Sequence, residues 1–228
     1  MMKYSRERVA AMIDHAVLKP TTTEAKLVAD ARMCAERGVF SICVRPCDVR
    51  LACAELKDSA TAVGMVVGFP HGSNLISVKV LEAEKGIAHG ARELDMVMNI
   101  GRFLSGDFEQ IEREISAVAE TAHAGDALLK VILETCYLTS AQIADACRIA
   151  EAGGADFVKT STGFGSAGAS PEAVQVMLDT VGGRLQVKAS GGIKDWDTAV
   201  AYIEQGCSRL GVGSTAAVLD GAIGEGEY

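Results

Sequence analysis

Short runs of β-branched and apolar residues alternate with longer Ala-rich amphipathic stretches along the chain. A period near two marks strand candidates at His15–Lys19, Phe40–Arg45, Ala62–Gly68, Glu93–Met98, Leu129–Glu134, Phe157–Ser161, Leu185–Ala189 and Arg209–Gly213. Between them a period near 3.6 predicts helices, among them Thr23–Arg37, Ser73–His89, Phe108–His123, Thr139–Ala152, Pro171–Val181 and Trp196–Gln205. Start and stop residues support these bounds: Thr139 precedes an Ala- and Ile-rich run, Pro171 follows Ser170, and Gly38, Gly90, Gly153 and Gly206 close helices. Eight strands, each followed by a helix, imply a parallel sheet. An open doubly wound sheet would carry a Gly-rich loop after its first strand, but Leu18-Lys19-Pro20-Thr21 stands there. The expected fold is therefore α/β, a single (β/α)8 barrel over residues 1–228, with a short helical cap at about 5–13 and a flexible tail at 221–228.

Alternation also sorts the strand residues by face, since every second one points into a barrel and the other set meets the helices. Leu94, Met96 and Met98 face out, leaving Asp95 and Val97 inside; Leu129, Val131 and Leu133 face out, leaving Lys130, Ile132 and Glu134 inside. Lys159 and Ser161 fall on the face opposite Val158 and Thr160, and Gln186, Lys188 and Ser190 fall inside the seventh strand. Asp14 and Cys43 are expected inside the first two strands. One interior thus collects Lys130, Lys159, Lys188, Asp14, Asp95 and Glu134. Buried charges are costly unless paired, so either a structural ion network or an active site must account for them.

Composition narrows the choice. At 49% hydrophobic but 5% aromatic, the core rests on aliphatic residues; 24 glycines against 4 prolines suit tight turns. A net charge of −8 disfavours nucleic acid and an anionic membrane surface as partners. No apolar run is long enough to span a bilayer, and the charged N-terminus is unlike a secretory signal. Seven cysteines, an odd number, suggest free thiols and a cytoplasmic location. Cys43, Cys47 and Cys53 lack a second Cys/His pair at zinc spacing, so no metal is expected.

The chemistry follows from the lysines. At an ordinary pKa of ~10.4 only about one lysine in 2,500 is neutral at pH 7, and a neutral amine is what attacks a carbonyl. Bringing the amine near 7 requires ~4.6 kcal/mol against the charged form, and a second ammonium ~6 Å away at an effective dielectric of ~20 supplies ~2.8 kcal/mol. Desolvation can supply the rest. Lys159 and Lys188, on neighbouring strands, fit a Schiff-base pair, and Asp95 is placed to move protons beside them. Gly-rich turns follow the last three strands: Thr162-Gly163-Phe164-Gly165, Ser190-Gly191-Gly192 and Gly211-Val212-Gly213-Ser214. Backbone N–H groups in such turns can hold a phosphate.

The segments Ile13-Asp14-His15-Ala16-Val17-Leu18-Lys19-Pro20, Glu93-Leu94-Asp95-Met96-Val97-Met98-Asn99-Ile100-Gly101, Lys130-Val131-Ile132-Leu133-Glu134-Thr135-Cys136, Val158-Lys159-Thr160-Ser161-Thr162-Gly163-Phe164 and Lys188-Ala189-Ser190-Gly191-Gly192-Ile193 resemble the deoxyribose-phosphate aldolase family, in that family's order. The resemblance covers nearly the whole chain. It implies reversible cleavage of 2-deoxy-D-ribose 5-phosphate to D-glyceraldehyde 3-phosphate and acetaldehyde, in deoxyribonucleotide catabolism, with no cofactor or metal. It implies a Schiff base on Lys159, a pKa-lowering partner in Lys188, proton transfer by Asp95, and phosphate on Gly163, Gly191, Gly192, Gly211 and Ser214. Asp14, Lys130 and Glu134 would support the trio from behind. Arg45, where the family often has Asn, and His71, where it often has Leu, depart from the pattern. His71, Cys43 and Tyr228 are reactive types whose ordinary roles are solvation, packing and fraying. Competing readings are another lyase or isomerase on the same barrel, a non-enzymatic sugar-phosphate sensor and a structural oligomer. A homodimer through helix faces is open to the chain.

Overall fold

The computed structural model describes residues 4–224. In chain order the elements are α1 (Arg6–Ala10), β1 (Ile13–Val17), α2 (Glu24–Arg37), β2 (Ser41–Val44), α3 (Val49–Glu55), β3 (Ala62–Val67), α4 (Ile76–Ala88), β4 (Glu93–Val97), α5 (Ile100–Leu104), α6 (Phe108–Ala124), β5 (Leu128–Ile132), α7 (Ser140–Ala152), β6 (Phe157–Lys159), α8 (Pro171–Val181), β7 (Gln186–Ser190), α9 (Trp196–Gln205), β8 (Arg209–Val212) and α10 (Thr215–Asp220). Neighbouring strands pair in parallel around the ring, and β1 closes it by pairing with β8, Asp14 opposite Gly211. The fold is a (β/α)8 barrel.

Capping fixes the helix ends. Ser170 accepts from the Ala173 N–H with Pro171 in the first turn of α8, Asp195 accepts from the Thr198 N–H ahead of α9, and Thr139 and Gln142 form a reciprocal capping box on α7. Gly38 closes α2 at φ 65°, a left-handed conformation that a side chain resists. The expected start of α4 at Ser73 is corrected: Leu75 is its N-cap, without a side-chain bond, and Ser73 lies outside the helix. The first strand is also corrected, beginning at Ile13 rather than His15 and ending at Val17.

The core between sheet and helices is built from the outward strand residues, including Met65, Leu94, Met96, Leu129, Val131, Val158, Val187 and Leu210, all of them buried. His15 breaks this apolar rule; its Nδ1 lies 2.9 Å from Thr215 Oγ1, so the ring is accommodated against α10. Gln186 has inward parity but is exposed, because it stands first in β7 at the open N-terminal rim. Behind β4, the buried Lys79 ammonium of α4 donates to the Val97 carbonyl at 2.7 Å and to Glu114 of α6, fixing the end of the strand that carries Asp95. Among the described residues, no helix is long and apolar enough to cross a membrane.

Candidate active site

Strand register sets the site. Lys159 is directly opposite Lys188 across β6 and β7, and Asp95 is opposite Lys130 across β4 and β5. Because all four have inward parity, their polar ends converge. Lys159 Nζ donates to Asp95 Oδ2 at 2.7 Å, and Lys188 Nζ donates to the same oxygen at 2.8 Å. Lys188 also donates to Asp14 Oδ2. Lys130 donates to Asp95 Oδ1 at 3.0 Å and to Glu93 Oε2 at 2.8 Å, and lies 3.5 Å from Asp14 Oδ2. Ser41 Oγ donates to Asp14 Oδ1 at 2.6 Å. Cys43 Sγ points at Asp95 from 3.9 Å and packs with Leu18 and Val66 in a small apolar cluster inside the barrel.

The charges settle one another. Burial alone would raise the Asp95 carboxyl, but Lys130, Lys159 and Lys188 overcome it and hold it well below the usual carboxylate range. The same contest leaves Asp14 low, through Lys130, Lys188 and Arg209. Burial pulls at the Lys130 ammonium, yet Asp14, Asp95 and Glu93 hold it well above its ordinary value. Burial pushes the Cys43 thiol up to about 12, so it stays a neutral thiol near neutral pH.

Sequence reasoning placed Asp14, Asp95, Lys130, Lys159 and Lys188 in one interior, and the structure brings them together. Glu134 is buried past the end of β5, at φ 55°, where it accepts from the Thr162 N–H at 3.1 Å and from Thr162 Oγ1 and is also acted on by the Lys159 ammonium. It braces the loop after β6, and burial pushes its carboxyl up. Two charged groups were missed. Glu93 and Arg209, first in β4 and β8, extend the network: Arg209 Nη1 donates to Asp14 Oδ1 at 2.7 Å and to both Glu93 oxygens at 3.0 Å. Glu93 shares parity with Asp95, two residues on, so the alternation that found Asp95 reaches Glu93 too. Ser161 was placed on the Lys159 face but given no role. Its hydroxyl is fully buried and has no hydrogen-bond partner among the described residues.

The Gly-rich turns divide. Gly163, Gly191 and Gly192 line a cavity of about 660 Å³, together with Lys19, Pro20, Thr21, Lys194 and the segment 164–168. Gly191 is at φ 80°, and a Cβ on Gly168 would lie 2.2 Å from its carbonyl oxygen, so the loops after β6 and β7 meet backbone to backbone. Gly211 and Ser214 do not line this cavity. Gly211 sits inside the barrel beside Lys188, and Ser214 caps α10 against Gly224. Lys19 and Lys194, not singled out by sequence, supply the cavity's cations. Phe69 and Phe164 join the loops after β3 and β6 edge to face, with centroids 5.3 Å apart. His71 is exposed, and Tyr228 lies outside the described residues.

An amine pair bridged by one carboxylate, beneath a glycine-lined cavity with two lysines, suits covalent chemistry on a small phosphorylated carbonyl compound. Comparison with known proteins agrees. The family described as DeoC/LacD family aldolase matches residues 8–210. The chain is 43% identical over 223 residues to a deoxyribose-phosphate aldolase of Clostridium perfringens, covering 98% of this chain and 99% of that one. It is 46% identical over 209 residues to a deoxyribose-phosphate aldolase of Treponema denticola, covering 92% and 97%. Among solved structures, the tetrameric deoxyribose phosphate aldolase of Aeropyrum pernix superposes with a TM-score of 0.89 at 30% identity, covering 95% of this chain and 91% of that one. An aldolase named QR15 superposes with a TM-score of 0.89 at 38% identity, covering 93% and 94%.

Proposed function

The chain belongs to the DeoC/LacD aldolase family, and on that premise we infer that it is a deoxyribose-phosphate aldolase. It cleaves 2-deoxy-D-ribose 5-phosphate reversibly to D-glyceraldehyde 3-phosphate and acetaldehyde. The observation that carries the assignment of roles is the single Asp95 oxygen shared by the ammonium ends of Lys159 and Lys188.

Lys159 Nζ adds to the C1 aldehyde, giving a carbinolamine that loses water to an iminium ion. The proton on the C3 hydroxyl leaves, the C2–C3 bond breaks, and its electron pair passes into the iminium to give an enamine. D-glyceraldehyde 3-phosphate departs with C3 as its aldehyde. The enamine takes a proton at C2, and water then releases acetaldehyde from Lys159. Asp95, in contact with Lys159, Lys188 and Lys130, moves protons at the carbinolamine and enamine, and Lys188 shares with Lys159 the Asp95 oxygen that does so. Asp14 and Lys130 hold that geometry, and Glu134 holds the loop after β6. Ser161, whose buried hydroxyl has no partner among the described residues, offers it to the substrate. The phosphate lies on Gly163, Gly191 and Gly192, facing Lys19 and Lys194. Gly211 and Ser214 fit this role less well, given where they sit. We place the reaction in deoxyribonucleotide catabolism in the cytoplasm.

Borohydride reduction in the presence of acetaldehyde, followed by peptide mass mapping, tests the reading. A two-carbon adduct on Lys159, absent from Lys159→Ala, is the expected result. A folded protein without an adduct on any lysine would remove the aldolase assignment.

A further inference from the structure

Past Lys159 the chain runs towards the cavity as three hydroxyl residues, Thr160, Ser161 and Thr162, before Gly163. All three are fully buried. The ladder continues one residue beyond β6: the Thr160 N–H donates to the Lys188 carbonyl at 3.1 Å, and the Thr160 carbonyl accepts from the Thr135 N–H at 2.9 Å. Ser161 therefore keeps the inward parity of Lys159, about 6.6 Å further on at ~3.3 Å per residue.

The neighbouring hydroxyls are committed within the fold. Thr160 Oγ1 donates to the Ser190 carbonyl at 3.1 Å and accepts from the Ser190 N–H at 3.0 Å. Thr162 Oγ1 donates to Glu134 and accepts from the Phe164 N–H at 3.0 Å. Ser190 Oγ donates to the Ser161 carbonyl at 2.6 Å. Ser161 Oγ alone among these has no partner among the described residues. The same is true there only of His15 Nε2, which lies outside the barrel with the Asp30 carboxylate 3.6 Å away. A buried hydroxyl without a partner costs free energy, so one that faces an active site calls for a ligand group.

Order along the chain says which group. Lys159 takes C1, and Gly163, Gly191 and Gly192 take the phosphate on C5, so Ser161 stands between the two ends. It is close to the phosphate end: a Cβ on Gly191 would lie 3.6 Å from Ser161 Cβ and 3.6 Å from Gly163 Cα. C2 bears no hydroxyl. The C3 oxygen exchanges its proton during the reaction, which suits the carboxylate chemistry around Asp95 better than a neutral hydroxyl. The C4 hydroxyl remains. We infer that Ser161 is a specificity-determining residue whose hydroxyl bonds the C4 hydroxyl of the sugar. In the direction of synthesis that group is the 2-hydroxyl of the acceptor, so the site selects phosphorylated 2-hydroxyaldehydes. The inference rests on the Schiff base at Lys159 and the phosphate placement proposed above.

The test runs the reaction towards synthesis, with acetaldehyde and either D-glyceraldehyde 3-phosphate or 3-phosphooxypropanal, which lacks only the 2-hydroxyl. The unaltered protein should favour the hydroxylated acceptor in kcat/KM by roughly 10-fold, the worth of one buried neutral hydrogen bond. In Ser161→Ala that ratio should fall towards one, through loss of rate with the hydroxylated acceptor. The melting temperature should not fall, because the fold loses no hydrogen bond. A ratio near one in the unaltered protein, or a preference that survives in Ser161→Ala, overturns the inference. So does an equal loss with both acceptors, which would put Ser161 at the aldehyde oxygen or the phosphate. Should Ser161→Ala not fold, Ser161→Cys, of similar size with only a weak S–H donor, carries the same comparison and the same outcomes. Absence of a borohydride-trapped adduct on Lys159 in the unaltered protein would instead overturn the Schiff-base assignment, whatever the acceptors show.

Discussion

Gly211 leaves room for Lys188. A Cβ there would lie 2.6 Å from Ser190 Cβ and 3.4 Å from Lys188 Cε, inside the β7–β8 contact. Gly211→Ala should push Ser190 away, shifting the end of β7 and with it Lys188 against the Asp95 oxygen that it shares with Lys159. We expect kcat to fall about 10- to 100-fold, the effect of an ångström-scale misplacement. Overpacking should cost only about 1–3 kcal/mol, so thermal melting should show a protein that still folds cooperatively. Unchanged kcat in a folded variant would argue that Lys188 is free to move. The sequence presented Gly211 as one glycine of a Gly-Val-Gly turn, and spacing alone pointed to phosphate. What spacing omits is the closure of β8 onto β1 and the lean of Lys188 across it. Asp95, Lys159 and Lys188 were legible because parity alone sends them inward. Glu93 and Arg209 share that parity, but each begins its strand, where a pattern of two gives the fewest repeats to read.

At the level of elements, the loop between β1 and α2 is held by a residue of another strand's turn. Arg45, just after β2, donates to the Lys19 and Pro20 carbonyls at 3.2 Å each and to Thr22 O at 3.0 Å, while Nε is held by Asp48 at 2.6 Å. Lys19, Pro20 and Thr21 line the cavity, so Arg45 fixes one wall of it. Arg45→Ala should loosen that wall without touching Lys159. We expect KM for 2-deoxyribose 5-phosphate to rise about fivefold, ~1 kcal/mol, with kcat nearly unchanged. KM for unphosphorylated 2-deoxyribose should rise less; an equal rise would detach the loop from the phosphate. The same scale shows what pattern can resolve. Helices α8 and α9 match their predicted bounds at both ends because Ser170-Pro171 and Asp195 are strong caps. Helices α3, α5 and α10 escaped because 7, 5 and 6 residues are too few for a helical period to register. The first strand slipped because His15 is a polar residue on an outward position, which inverts the alternation there.

For the whole molecule, the closed barrel is what turns eight separate strands into one ionic unit, and that unit links stability to pH. Eight strand–helix repeats made the closure legible, whereas the pairing of charges across it depends on register, which the sequence does not display. In an unfolded chain an Asp carboxyl titrates near ~3.9. In the fold Asp14 and Asp95 are held below that by the lysines and Arg209, so between the two values the unfolded chain binds more protons. Their contribution is full above ~5 and is lost as pH falls through the folded values. Lys130 is held above the usual lysine value, so its contribution is present below ~10 and is lost as pH rises through its folded value. Urea denaturation should therefore give a steep fall in stability below pH ~4. In Asp14→Asn one of these carboxyls no longer titrates, so below pH ~4 its stability should fall with a slope shallower by about 1.4 kcal/mol per pH unit, although its plateau sits lower because Arg209 and Lys188 each lose a partner. Parallel acid slopes for the two proteins would mean that Asp14 takes up its proton alike in the folded and unfolded chains, and that the barrel's ion network does not govern its acid stability.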